Sequence, residues 1–131
     1  MSNNTGFNYV FNTNNDYAGL TTELPFIIRK EFKGQKLKYP EIALLILCVL
    51  IGKTQKVNQR NNSGEIKYYE SSTRDLARQA GVAQTTIQRA IDWLSKNKWL
   101  EIAKGIDNPQ KMRYILNVEK INDAIAQHLY N

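Results

Sequence analysis

The chain is poor in the residues from which most active sites and metal centres are built. It has one cysteine, Cys48, and one histidine, His128. A single cysteine excludes an intramolecular disulfide, and with one histidine far away in sequence it cannot assemble a metal site. Cys48 lies among Ile46, Leu47, Val49 and Leu50, where no cation stabilises a thiolate, so it reads as a small buried hydrophobe. His128 reads as solvated or half-buried. There is no glycine-rich phosphate loop, and no Ser or Cys nucleophile stands near a histidine base. The reading that follows is not an enzyme, with no cofactor, no metal and no small-molecule substrate. Long apolar runs are missing too. Ile42 to Ile51 falls far short of the ~20 residues that cross a bilayer, so no membrane role is expected. The Asn-rich beginning lacks the basic flank and apolar segment of a signal peptide, which makes the cytoplasm the expected location.

What is present suits one compact domain with modest extensions: 131 residues, 42% of them hydrophobic. Eighteen Lys and Arg against twelve Asp and Glu give a net charge of +6, which points to an acidic partner or surface. Many basic proteins share such a charge, so it narrows the field only slightly.

Along the chain, residues 1–22 are rich in Asn, Thr and Gly, with Phe7, Tyr9, Val10, Phe11 and Tyr17 among them. They read as a mobile arm with some capacity to dock. LPFIIRKEF (Leu24 to Phe32) is β-branched and aromatic enough for a strand, with a short helix as the alternative, and Lys33-Gly34-Gln35 reads as a turn. Pro40 and Glu41 suit a helix start. Ile42 to Ile51, apolar on nearly every face, predicts a central buried helix ended by Gly52 in a left-handed conformation. Lys53 to Gly64 reads as a polar, basic loop, and Glu65 to Glu70 as a short strand that leaves one of Tyr68 and Tyr69 exposed.

The most informative stretch is STRDLARQAGVAQTTIQRAIDWLSKNKWL, Ser72 to Leu100. Ser72 with Asp75 forms a capping box that opens a helix. Ala77, Gly81 and Ile87 then follow the spacing of two helices joined by a tight turn: a small residue at the crossing, a glycine at the corner, a β-branched anchor. Leu76, Ala80, Val82, Ile87 and Ala90 fill inward positions. Gln84, Thr85, Gln88 and Arg89 occupy the other flank of the second helix, with side chains able to read base edges or grip phosphates. Trp99 to Lys104, the turn GIDNPQ and Lys111 to Asn117 predict a hairpin. In its returning strand Met112, Tyr114 and Leu116 share one face, Lys111 and Arg113 the other. Trp93 and Trp99 read as core. Val118, Ile121, Ile125 and Leu129 recur at helical spacing.

From about Pro40 to Asn117 the chain resembles a winged helix-turn-helix domain. It is most similar to the DNA-binding domains of phage and plasmid replication initiators and replisome organisers. The phrases that carry the likeness are Leu37-Lys38-Tyr39-Pro40-Glu41 before IALLIL, Ser72 to Ala77, GVAQTTIQRAI, and a hairpin bounded by Trp99-Leu100 and Tyr114-Ile115-Leu116. One departure is Ala83, where the family usually has a capping Ser. The resemblance implies a mainly α fold with a small β-hairpin wing (α+β). Its parts would be an arm at 1–22, a winged domain at 23–117 (helix-turn-helix 72–97, wing 99–117) and a C-terminal amphipathic helix at 118–131. It implies sequence-specific binding of double-stranded DNA in replication initiation, maintenance or transfer of a plasmid- or phage-like element. Transcription repression is the alternative within the same architecture, and a protein-interaction module without DNA affinity is the alternative outside it. The helix from Gln84 would enter the major groove, with Gln84, Thr85, Gln88 and Arg89 facing bases and Thr86 bonding a phosphate or bracing the helix start. Lys104, Lys111 and Arg113 would touch backbone or minor groove, with a solvated strand face as their competing role. A homodimer would rest on the C-terminal helix and the arm.

Overall fold

The computed structural model describes residues 20–32, 40–61, 66–106 and 108–130. The expected arm up to residue 19, the turn at Lys33-Gly34-Gln35, residues 62–64 at the end of the expected loop, Glu65, and Asp107 of the expected GIDNPQ turn lie outside the described residues. The elements run α1 (Leu20–Phe32), α2 (Pro40–Arg60), β1 (Tyr68–Ser71), α3 (Thr73–Ala80), α4 (Gln84–Lys96), β2 (Leu100–Lys104), β3 (Met112–Leu116) and α5 (Val118–Tyr130). The architecture is mainly helical with a three-stranded antiparallel sheet in the order β1-β3-β2. Among the described residues no helix is long and apolar enough to cross a membrane.

Leu24 to Phe32 is helical, not a strand, and residues 20–22 belong to the same helix. The reason lies in the burial period. A strand would put Phe26 and Ile28 on one face, yet Phe26 is 67% exposed and Ile28 fully buried. Ile27, Ile28 and Phe32 instead form a helical stripe that enters the core. Short apolar runs leave this choice open until packing decides it.

The second correction concerns α2, which continues through Gly52 to Arg60. The glycine is helical, and space around it is open. Lys53, Lys56 and Arg60 are therefore helical residues and not part of a loop. Two polar side chains make the extension possible by turning inward. Thr54 donates its hydroxyl to the Leu50 carbonyl at 2.7 Å. Asn58 donates to the Ile66 carbonyl at 2.8 Å and accepts from the Ile66 N–H at 2.9 Å, while the same amide also donates to the Thr54 carbonyl at 3.1 Å. Asn58 thus ties the end of α2 to the lead-in of β1. Nor is α2 buried all round: Leu45 is exposed, and Ile42, Leu44 and Cys48 are partly so. Burial still pushes the Cys48 thiol up to about 11, which keeps it protonated and unreactive at neutral pH.

One core gathers Ile46, Leu47 and Leu50 from α2, Leu76 from α3, Ile87, Ile91 and Leu94 from α4, and Leu100, Tyr114 and Leu116 from the sheet. Val118, Ile121, Ala124 and Ile125 of α5 join it, and α5 packs on α1. Those α5 side chains are used within the chain. Trp99 is buried, whereas Trp93 is only partly so; both meet Phe32 edge-on, at 5.5 and 5.0 Å between ring centres. Neither Tyr68 nor Tyr69 is fully exposed. Tyr69 packs against the core, and Tyr68 lies on the other sheet face beneath Arg113, 5.7 Å away.

Candidate nucleic-acid interface

The geometry of α3 and α4 starts at Ser72. Its backbone is extended, and its hydroxyl accepts the Asp75 N–H at 3.0 Å, closing the first turn of α3. The helix ends at Gly81, φ 70°, with the Val82 N–H on the Ala77 carbonyl and the Gly81 N–H on the Arg78 carbonyl. This pair of bonds is the Schellman closure, which needs a left-handed residue. It turns the chain within three residues into α4.

The same closure recurs at the end of α4, but on a lysine. Trp99 bonds back to Leu94 and Lys98 to Ser95, and Lys98 holds φ 67°. A side chain in that conformation is strained, and the structure holds it by two neighbours. Asn117 donates to the Lys98 carbonyl at 2.7 Å, and Lys120 donates to the Asn97 carbonyl at 2.6 Å while lying 4.5 Å over the Trp99 ring. Burial lowers the Lys120 pKa, with the Glu31 carboxylate opposing. Lys98→Gly is expected to stabilise the fold by about 0.5–1 kcal/mol, once the greater freedom of glycine in the unfolded chain is set against the relieved strain. An upward shift of the urea midpoint at constant slope is the measurement, and no shift would mean the lysine sits there without strain.

Between these two corners α4 presents two unlike flanks. Ile87, Ala90, Ile91 and Leu94 are buried. Gln84, Thr85, Gln88, Arg89, Asp92 and Lys96 are exposed, and Thr86 is half-buried at the helix start. Gln88 donates to Asp92 at 3.2 Å along the helix. No ion pair among the described residues involves Arg89. Ala83 provides no side-chain cap, so the first turn of α4 begins without the side-chain acceptor that Ser72 gives α3.

The β2–β3 hairpin begins three residues after α4. Its inner face, Leu100, Ile102, Tyr114 and Leu116, covers the core, and the Tyr114 hydroxyl lies 3.3 Å from that of Thr73. Burial pushes the Tyr114 phenol up, with the Thr73 hydrogen bond opposing. Lys104 is exposed and Lys111 partly covered. Arg113 donates Nε to the Lys104 carbonyl at 2.9 Å, so it braces the hairpin as well as carrying charge. The tip is tied three ways. Gly105 donates to the Lys111 carbonyl at 2.9 Å, Lys111 to the Asn108 carbonyl at 3.0 Å, and Gln110 to the Asn108 side chain at 2.9 Å. From the far strand, the Glu70 carboxylate accepts the Ile106 N–H at 2.8 Å.

The outward residues expected on α4 therefore share one flank, and the three basic residues expected on the hairpin are all on it. Among the described residues no hydrogen bond or ion pair joins the two sets. Three residues escaped the sequence reading. Arg74 is exposed in the first turn of α3, and the Ser72 cap could have placed it there. Lys98 gave no signal, because a lysine does not advertise φ > 0. Ile106 lay inside a segment read only as a turn.

No family model matches the chain, and no curated protein matches it.

Proposed function

We propose that this protein binds double-stranded DNA in a sequence-specific manner through a winged helix-turn-helix. In this reading α3 and α4 are the helix pair, β2–β3 is the wing, and α4 enters the major groove. The observation that carries it is the division of α4 into a buried flank at Ile87, Ala90, Ile91 and Leu94 and an exposed flank at Gln84, Thr85, Gln88 and Arg89. An exposed helix flank with bidentate-capable Gln and Arg suits base edges. Thr86, the uncapped first turn of α4, Arg74, Lys104, Lys111 and Arg113 suit phosphates. The likeness of the motif phrases to replication initiators supports a role in replication, maintenance or transfer of a plasmid- or phage-like element.

The test is binding of a labelled duplex across a salt series. Affinity is expected to fall steeply between 50 and 200 mM salt, with a log–log slope of about −0.9 per phosphate contact. A flat response, or no binding at low salt, would return the fold to the protein-interaction reading.

A further inference from the structure

Three large apolar side chains stand out on the described surface: Phe26, Leu45 and Ile106. Phe26 and Leu45 lie on helices, beside partly covered apolar neighbours. Ile106 is different, because it sits at the tip of a hairpin, 63% exposed, with its backbone anchored. Its N–H is held by Glu70 from β1, across the sheet from β2. Gly105 beside it cannot carry a side chain: a Cβ there would collide with the Asn108 carbonyl oxygen, and would crowd the Lys111 carbonyl oxygen at 3.0 Å and the Glu70 carboxyl at 3.1 Å. The turn is thus closed tightly against its own backbone. What it presents outward is an isoleucine where a polar residue would serve solubility better.

We propose that Ile106 reads the minor groove of the bound duplex by apolar contact, favouring base pairs without a guanine 2-amino group. The proposal rests on the DNA-binding reading above and deepens it. Lys104 and Lys111 flank the tip and suit the phosphates on either side of a groove. Glu70, an acidic group beside the tip, is turned to the Ile106 N–H. Asp107 follows Ile106 in the sequence. An isoleucine cannot accept the hydrogen bond that a guanine 2-amino group offers, so covering that donor leaves it unpaired. An A·T floor has acceptors only, and no protruding donor to block an alkyl group. Apolar side chains at such a place also favour easily unstacked steps.

Inosine separates this contact from anything α4 does. An I·C pair matches G·C in the major groove but lacks the 2-amino group in the minor groove. The experiment measures binding of the full chain to poly(dI-dC) and poly(dG-dC) duplexes, for the parent and for Ile106→Ser. The parent is expected to prefer poly(dI-dC) about five- to tenfold, the scale of partly burying one alkyl side chain. Ile106→Ser should lose that preference with an unchanged melting temperature and an unchanged salt slope, because no phosphate contact is removed. Lys111→Ala, by contrast, should reduce the slope by about one contact. Equal binding of both polymers by the parent, or a preference that survives Ile106→Ser, overturns the proposal while leaving duplex binding intact. Failure of the parent to bind either polymer overturns the DNA reading and this one with it. A change in the sedimentation of the free protein on Ile106→Ser would make Ile106 a protein contact, which also overturns it.

Discussion

Arg89→Ala is expected to weaken binding to a duplex selected by the protein itself by about 1–3 kcal/mol, and to relax preference at a single base pair. The expectation follows from where Arg89 stands. It lies one turn into α4, exposed, while Ile87, Ala90 and Ile91 on the neighbouring positions are buried. Asp92, three residues on, is engaged by Gln88. A guanidinium exposed on this flank can meet the two acceptors of a guanine at once, and losing such a pairing costs discrimination as well as affinity. Lys104→Ala should behave differently, weakening all duplexes alike and lowering the salt slope by about one. Both variants should melt like the parent, since neither side chain is buried. If Arg89→Ala lowered affinity equally for every sequence, the residue would be a phosphate ligand, and base readout would pass to Gln84 and Gln88.

The second large effect is on stability. Asn58→Leu is expected to cost about 2–3 kcal/mol, read from chemical unfolding. Asn58 is almost fully buried and satisfies both backbone groups of Ile66 as a neighbouring strand would. A leucine of similar size leaves that N–H and carbonyl unpaired, and an unmade buried hydrogen bond costs more than a made one contributes. Asn58→Asp should not rescue the loss. A carboxylate can still accept from the Ile66 N–H, but it then faces the Ile66 and Thr54 carbonyl oxygens without a donor. Because β1 carries Glu70, which holds Ile106, the leucine variant should also loosen the hairpin tip, seen as faster amide exchange at Ile106. A variant as stable as the parent would show that water replaces the amide at this junction.

The parts that were legible in the sequence are those coded by short-range chemistry. Ser72 and Asp75 announced a cap, Gly81 a left-handed corner, and the spacing of Ile87, Ala90 and Leu94 an amphipathic helix; each needs only its neighbours. The hairpin was legible for the same reason, since Met112, Tyr114 and Leu116 share one face while Lys111 and Arg113 share the other. What escaped was decided at a distance. Leu24 to Phe32 suits either a strand or a helix until α2 and α5 pack on Ile27 and Ile28. Gly52 looked like a stop because glycine so often is one, yet the contact that prolongs α2 lies eight residues away from Asn58, at Ile66. Lys98 adopts a glycine's conformation where Asn117, just before α5, holds its own carbonyl and Lys120 of α5 holds that of Asn97. The outward flank of α4 could be listed residue by residue beforehand. That Arg113 also braces the hairpin could not, because its partner is a carbonyl on the opposite strand.

The middle strand of the sheet is β3, bonded to β1 along one edge and to β2 along the other. The β2–β3 hairpin is thus joined to β1 through β3, and Glu70 of β1 also holds the backbone at its end. In the DNA-binding reading, a duplex that touches α4 and the tip together is expected to bend toward them. Among targets with identical base contacts, the stiffer ones should be held less tightly.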